Sequence, residues 1–259
     1  MARRGSPVHP TSQPGHGAQP GHGAQPTHEH HHRKVQGGAA RAAVFGISDG
    51  LVSNVSLILG VAGAGPSSSV VRLAGLAGLV GGAFSMASGE YVSMRAQTEL
   101  LERELELERR EIVRRPESER RELVQIYRSR GIDADLAEDL ATEMHRDPDL
   151  ALETHAREEL GIDPDELGSP VGAASSSFVA FAFGAVLPLL PWFFGEGTAA
   201  MVASIVIGGL AAVAVGVALA RFTGRPMLRL ATRQLGFAAA SAGVAFAVGN
   251  AVGVGAGVG

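Results

Sequence analysis

The chain has 259 residues, of which 46% are hydrophobic, and it contains no cysteine, which excludes a disulfide framework and a thiolate metal site. The net charge of −4 is unevenly distributed, because residues 95–168 hold 22 of the 26 acidic side chains and 12 of the 22 basic ones. A polar segment this acidic argues against a protein that binds nucleic acid.

Residues 1–36 form a tail rich in Pro, Gly and His, in which the hexad PGHGAQ occurs twice in succession. A segment of this composition buries too little apolar surface to fold alone, so we predict a disordered tail. Its histidines are as consistent with loose metal binding as with a tail that has no role in the core function.

The first predicted membrane span covers residues 41–65, and after Arg41 at its start it contains a single charge, Asp49. A carboxylate within a span costs on the order of 3 kcal/mol to insert, and it usually faces a polar cavity on an ion or proton path. The alternative is a structural aspartate that is bonded to a neighbouring helix. Gly46 and Gly50 flank Asp49 and permit the close approach of another helix.

The second predicted span covers residues 70–94 and carries two side chains that suit a metal path. Met86 and Glu90 lie four residues apart, so they share one helix face. A soft thioether beside a hard carboxylate suits a borderline divalent ion such as Fe²⁺ or Mn²⁺. Alone, Met86 is better explained by packing, but its pairing with Glu90, opposite a span that carries Asp49, favours a metal path.

An acidic helical domain is predicted between the second and third spans, at residues 95–168. Its first helix, ELLERELELERREIV, has apolar residues at helical spacing and is predicted to continue the second span. Three shorter helices follow, beginning at Pro116, near Asp133 and at Asp147. Gly131 closes the first of these three, and Gly161 follows the last.

Several carboxylates of this domain recur at helical spacing, and one histidine pairs with a glutamate four residues later. Convergence of these groups between helices would make an oxygen-rich site for a divalent metal ion. The alternative is a solvated helix surface on which glutamates pair with arginines. The candidates are Glu104, Glu108, Glu111, Glu119, Glu122, His155 and Glu159.

Three more apolar stretches complete the chain, at 171–194, at 198–220 and from 230 to the C-terminus. Each is long enough for the roughly 20 helical residues that a bilayer core requires. The fold class is therefore predicted as an all-α membrane protein with five transmembrane helices. The predicted domains are the tail (1–36), spans 1 and 2 (37–94), the acidic helical domain (95–168) and spans 3 to 5 (169–259).

Basic residues indicate the orientation of the spans in the membrane. They precede the first span and separate the fourth from the fifth, whereas the loops after the first and third spans hold almost none. Because loops rich in Lys and Arg stay in the cytosol, we predict that the N-terminus and the acidic domain are cytosolic. The C-terminus is predicted on the opposite side. The basic residues between spans four and five are Arg221, Arg225, Arg229 and Arg233.

The assembled pattern resembles the vacuolar iron transporter family, in its bacterial branch. The segments that carry the resemblance are RAAVFGISDGLVSNVSLILGVAGA in the first span, GLAGLVGGAFSMASGEYVS in the second, and HAREELGIDPDELGSPVGAASSSFVAF with LPLLPW further on. The resemblance runs from residue 41 to the end of the chain without large gaps. The His-rich tail lies outside it.

The resemblance implies a five-span homodimer that exports Fe²⁺, and often Mn²⁺, from the cytosol in exchange for protons. It implies that Asp49 and Met86 line the translocation path, and that glutamates of the cytosolic domain bind metal. Those glutamates are Glu108, Glu111, Glu119, Glu122 and Glu159.

Two positions depart from the family pattern. His155 stands where plant members have a methionine in the cytosolic site, and imidazole also binds Fe²⁺ and Mn²⁺. Glu90 stands where plant members tend to have a small residue, which adds a carboxylate to the path.

The sequence therefore predicts a transporter without a prosthetic group, integral to a bacterial plasma membrane, rather than an enzyme. One alternative is a membrane-anchored ferritin-like protein that oxidises Fe²⁺, and another is a metal-sensing protein that transports nothing. Ferritin-like di-iron sites use Glu-x-x-His on helices, and residues 95–168 contain no such motif.

Overall fold

The computed structural model describes residues 38–255, so the predicted disordered tail lies outside the described residues. The described part is helical and contains no strand. A single 3₁₀ turn, Pro164–Glu166, precedes the third span. The α-helices are α1 (Gly38–Gly63), α2 (Ser68–Arg114), α3 (Pro116–Ser129), α4 (Ala134–Met144), α5 (Pro148–Glu158), α6 (Pro170–Leu189), α7 (Pro191–Phe194), α8 (Gly197–Thr223) and α9 (Met227–Gly255).

Five of these helices, α1, α2, α6, α8 and α9, are long and apolar enough to cross a membrane, which confirms the predicted number of spans. The helix α2 has 47 residues. At 1.5 Å per residue it is about 70 Å long, more than twice the thickness of a bilayer core. Its charged second half therefore continues beyond the membrane-spanning part, as the sequence predicts.

The third span is interrupted near its end, where the sequence predicts one continuous stretch to residue 194. The helix α6 ends at Leu189, and Pro191 begins the four-residue helix α7. Proline lacks an N–H group and cannot continue the hydrogen-bond ladder of the preceding helix. The Ser204 hydroxyl of α8 donates to the carbonyl oxygen of Pro188 at 2.6 Å, which satisfies a buried acceptor at the break.

The helix α1 lies at the centre of the membrane-spanning part and packs most extensively against α6. Glycines make this approach close on both sides. A Cβ atom on Gly50 would lie 2.1 Å from the Phe181 carbonyl oxygen, and one on Gly184 would lie 2.2 Å from the Ile47 carbonyl oxygen. The sequence predicts a close approach beside Asp49, and the structure places α6 there.

The acidic domain is built from α3, α4, α5 and the charged end of α2. The side chains of Asp133 and Asp147 accept hydrogen bonds from backbone N–H groups two residues later, so they cap α4 and α5. Small apolar clusters hold the helices together. One joins α3 to α4 around Leu123, and another joins α2 to α5 around Ile112. Polar side chains of α2, α3 and α5 also meet in this domain.

Candidate metal sites

The acidic domain contains a buried cluster of potential metal ligands at the meeting point of three helices. This acidic cluster consists of Glu108 of α2, Glu119 of α3 and His155 of α5, whose ligand atoms all lie within 4.8 Å of one another. The three residues are 5%, 6% and 0% exposed, respectively. For these three side chains, the alternative of a solvated helix surface is therefore wrong.

Three more of the predicted glutamates surround this cluster. The Nδ1 atom of His155 lies 3.1 Å from Glu108 Oε1 and 3.1 Å from Glu159 Oε2. Glu111 and Glu122 are exposed, and they act on the cluster through their negative charge. The structure thus brings three predicted ligands together, places Glu159 in contact with them and leaves Glu111 and Glu122 at the rim.

The charges of this cluster are poorly compensated by protein groups. Burial, together with the negative charges of Glu159 and Glu119, raises the pKa of Glu108 to about 7. Burial also raises the pKa of Glu119. The buried atom Glu108 Oε1 lies 3.1 Å from His155 Nδ1, but within residues 38–255 it accepts no hydrogen bond, and that nitrogen bonds Glu159 Oε2 instead. A divalent cation would relieve both the repulsion and the missing contact.

A second site lies in the membrane-spanning part, in a cavity of about 300 Å³ between α1, α2 and α6. Asp49 and Met86, the two residues predicted to form the path, both line this cavity. The side chain of Asp49 is exposed on the surface of the single chain. Among the described residues, no side chain of another helix donates a hydrogen bond to its carboxylate. The remaining lining residues are Ser53, Asn54, Leu57, Gly78, Gly82, Ser85 and Phe181.

Glu90 does not line this cavity, although the sequence predicts it as a carboxylate of the path. It lies one helix turn beyond Met86, and its Oε1 atom accepts a hydrogen bond from Arg41 Nη2 at 2.9 Å. The Glu90 side chain is 17% exposed, so the ion pair is half enclosed between α1 and α2. The sequence indicates Arg41 only as a basic residue at the start of the first span, and the structure gives it a specific partner.

Sequence reasoning did not single out Asn54 and His145. Asn54 follows Asp49 by five residues in the same apolar span, so a second polar side chain there was the available signal. His145 lies behind the acidic cluster, with its ring centroid 5.2 Å from that of His155. Its Nδ1 atom lies 3.0 Å from the Ala141 carbonyl oxygen, and burial lowers its pKa.

Comparisons with known proteins agree with this architecture. A sequence model of the VIT family matches residues 40–250. Vacuolar iron transporter 1 of Arabidopsis thaliana is 32% identical over 227 residues, covering 86% of this chain and 91% of that protein. Vacuolar iron transporter 1 of Oryza sativa subsp. japonica is 31% identical over 207 residues, covering 78% of this chain and 82% of that protein.

A shorter and closer match is the vacuolar iron transporter of Acanthamoeba castellanii, which is 40% identical over 154 residues, covering 59% of this chain and 55% of that protein. The family match includes both the membrane cavity and the acidic cluster. The bacterial branch within that family stays a prediction. The resemblance to the family itself is confirmed: the chain belongs to the VIT family, and it is an integral membrane protein that transports metal ions rather than an enzyme.

Proposed function

We propose that this protein exports Fe²⁺ or Mn²⁺ from the cytosol in exchange for protons. The observation that carries the proposal is that Asp49 and Met86, on two different helices, line the same cavity in the membrane-spanning part. A carboxylate and a thioether together suit a borderline divalent ion better than Na⁺ or K⁺. The relatives named above are vacuolar iron transporters, which supports iron as one substrate.

The acidic cluster is the proposed collecting site on the cytosolic side. Glu108, Glu119 and Glu159 supply oxygen ligands, and His155 supplies one imidazole nitrogen. This donor set fits Fe²⁺ and Mn²⁺. From Glu108 to Met86, the continuous helix α2 spans roughly 30 Å, so one rigid element connects the collecting site to the membrane cavity.

The proposed orientation rests on the four arginines around the turn between α8 and α9, which are all exposed. Positively charged ends of spans stay in the cytosol. The acidic domain lies at the same ends of the spans, because two membrane crossings, α6 and α8, separate it from the α8–α9 turn. Both are therefore assigned to the cytosolic side.

Proton coupling is assigned to Asp49. Only an ionised carboxylate is a good metal ligand, so a proton that reaches Asp49 from the non-cytosolic side would weaken metal binding and release the ion. The return of that proton to the cytosol would restore the site. This exchange would let a proton gradient drive metal export.

A homodimer is proposed because of where Asp49 lies. Its side chain is exposed on the single chain although the residue belongs to a membrane-spanning helix. A carboxylate that faces lipid is costly, so intramembrane carboxylates face the interior of a bundle. A second copy that packs against this face of α1 and α2 would enclose the cavity.

Flux measurements on purified protein in liposomes test the proposal. We expect Mn²⁺ to cross the membrane. Its rate should increase when the side toward which Mn²⁺ moves is the more acidic one, because protons then flow in the opposite direction. Binding of Mn²⁺ without any flux would contradict export and favour the sensing alternative. A flux that does not depend on the pH gradient would contradict proton exchange.

A further inference from the structure

Asn54 is the most deeply buried polar side chain of the membrane cavity. It belongs to α1, lies five residues after Asp49 and is 2% exposed. It lines the cavity together with Asp49 and Met86. A buried amide has two donor hydrogens and one acceptor oxygen to satisfy, so its orientation and its partners indicate what the cavity is built to hold.

The orientation of the amide is fixed by its neighbour on α6. The Nδ2 atom of Asn54 lies 2.6 Å from the carbonyl oxygen of Ala185. A carbonyl oxygen can only accept a hydrogen bond, so the amino group must face Ala185 and the oxygen must face away from it. The interaction with α6 therefore determines which end of the amide is available to the cavity.

The oxygen that remains has no partner among the described residues. Among residues 38–255, no group donates a hydrogen bond to Asn54 Oδ1, although the atom is fully buried. A buried acceptor without a partner costs free energy, and such groups in native proteins are usually satisfied by water, an ion or a ligand.

Gly78 of α2 leaves the space beside this oxygen free of a side chain. A Cβ atom on Gly78 would lie 2.9 Å from Asn54 Oδ1, which is closer than ordinary contact. Gly78 itself lines the cavity. The absence of a side chain at this position leaves room beside the oxygen for a small ligand.

We propose that Asn54 Oδ1 is a third ligand of the metal ion in this cavity, beside the Asp49 carboxylate and the Met86 thioether. This inference rests on the proposed function of the cavity as a metal path. An amide oxygen is a hard, uncharged donor of the kind that divalent cations accept. Because it and the thioether are neutral, Asp49 is the only charged ligand of the three, which keeps binding weak enough for passage.

The variant that tests this proposal is Gly78→Ala, because it covers Oδ1 without removing the Asn54–Ala185 hydrogen bond. The new methyl group would also approach Leu57 Cδ2, the end of a flexible side chain that can rotate away. The matched control is Gly243→Ala in α9, where a Cβ atom would meet nothing within 4 Å. Asn54→Leu, which removes the oxygen outright, is the second variant.

The measurement is Mn²⁺ flux in liposomes as a function of Mn²⁺ concentration, together with the Tm of each metal-free protein in detergent. We expect Gly78→Ala and Asn54→Leu to raise the KM for Mn²⁺ at least tenfold. Gly78→Ala and Gly243→Ala should both keep the wild-type Tm, and Gly243→Ala should keep the wild-type KM.

Two results would overturn the proposal. A wild-type KM in Gly78→Ala would show that Oδ1 holds only water or nothing. An equal rise of KM in Gly243→Ala would assign the effect to helix packing. A wild-type protein without Mn²⁺ flux would instead contradict the proposed function, so the two failures are distinguishable.

Discussion

Glu108 is a residue whose environment disfavours its charged form unless a cation is present. Its pKa is raised from 4.5 to about 7 in the folded protein, chiefly by burial and by neighbouring glutamates. The folded state therefore holds the proton more tightly than the unfolded state. Without metal, the stability of the domain must fall as the pH rises from 4.5 to about 7, and it remains lowered above that pH.

The variant Glu108→Gln tests this at pH 8 in the presence of a chelator. Glutamine keeps the shape and removes the charge, so we expect the metal-free variant to be more stable than the wild type by about 2 kcal/mol. Addition of Mn²⁺ should stabilise the wild type and not the variant. Thermal unfolding of the full-length protein in detergent measures both effects.

The control for this experiment is Glu106→Gln on the same helix. Glu106 is half exposed and pairs with Arg110, so its neutralisation should change the Tm little. If metal-free Glu108→Gln unfolds below the wild type at pH 8, the uncompensated charge of Glu108 is not a source of instability, and our account of the cluster is wrong.

The ion pair between Arg41 and Glu90 leads to a second prediction at the scale of residues. Glu90→Gln leaves the positive charge of Arg41 without its partner, between the acidic cluster and the membrane cavity, where it would repel an arriving cation. We expect Glu90→Gln to lower Mn²⁺ flux roughly tenfold at low metal concentration.

The double variant Arg41→Gln with Glu90→Gln removes both charges and should recover most of the flux. Comparison of the two single variants and the double variant in liposomes isolates the coupling between the side chains. If the double variant transports as poorly as Glu90→Gln, the carboxylate itself is required, and the repulsion argument fails.

At the scale of elements, helical periodicity predicts most of the helices and some of the positions where one helix ends and the next begins. The continuity of α2 follows from a sequence without Gly or Pro between Tyr91 and Arg115. The sequence does not predict the break before Pro191, because proline is tolerated within spans and only the packing of α8 shows that the chain turns there.

The acidic cluster shows what periodicity cannot supply. Spacing places Glu108 and Glu111 on neighbouring positions of one helix surface, yet the structure buries the first and exposes the second. The loops and the apolar clusters around Leu123 and Ile112 decide which faces of α2, α3 and α5 meet. The angle between these helices cannot be predicted from the sequence of the loops and clusters alone. The orientation of the Asn54 amide is likewise a property of the contact with α6.

The crossing of α1 and α6 gives a prediction for these elements. In Gly50→Ala, the added methyl group would lie 2.1 Å from the Phe181 carbonyl oxygen, so the two helix backbones would have to separate. We expect a loss of about 1–3 kcal/mol in stability, because overpacking of a close contact costs this much.

Thermal unfolding in detergent measures this loss, with Gly243→Ala as the control that adds a methyl group in open space. A Tm for Gly50→Ala equal to that of the control would mean that the α1–α6 crossing is looser than the structure shows.

At the scale of the whole molecule, the five spans, their order and the inserted acidic domain follow from hydropathy and charge. The orientation, the cytosolic placement of the acidic domain and the homodimer remain predictions, and a pair of reporters tests the orientation. A reporter fused to the C-terminus should be found outside the cytosol, and one inserted beside Gly131 should be found inside it. Both reporters on one side of the membrane would contradict five spans.

The central claim is that metal leaves the cytosol through the cavity that Asp49 lines, with Asp49 as both ligand and proton carrier. The most direct test is Mn²⁺ flux by wild type, Asp49→Glu and Asp49→Asn in liposomes with a pH gradient. We expect flux to fall in that order. Glutamate keeps a carboxylate one methylene further out, whereas asparagine keeps the shape and removes the charge. A folded Asp49→Asn protein that transports Mn²⁺ at the wild-type rate would contradict the account, because Asp49 would then be only structural.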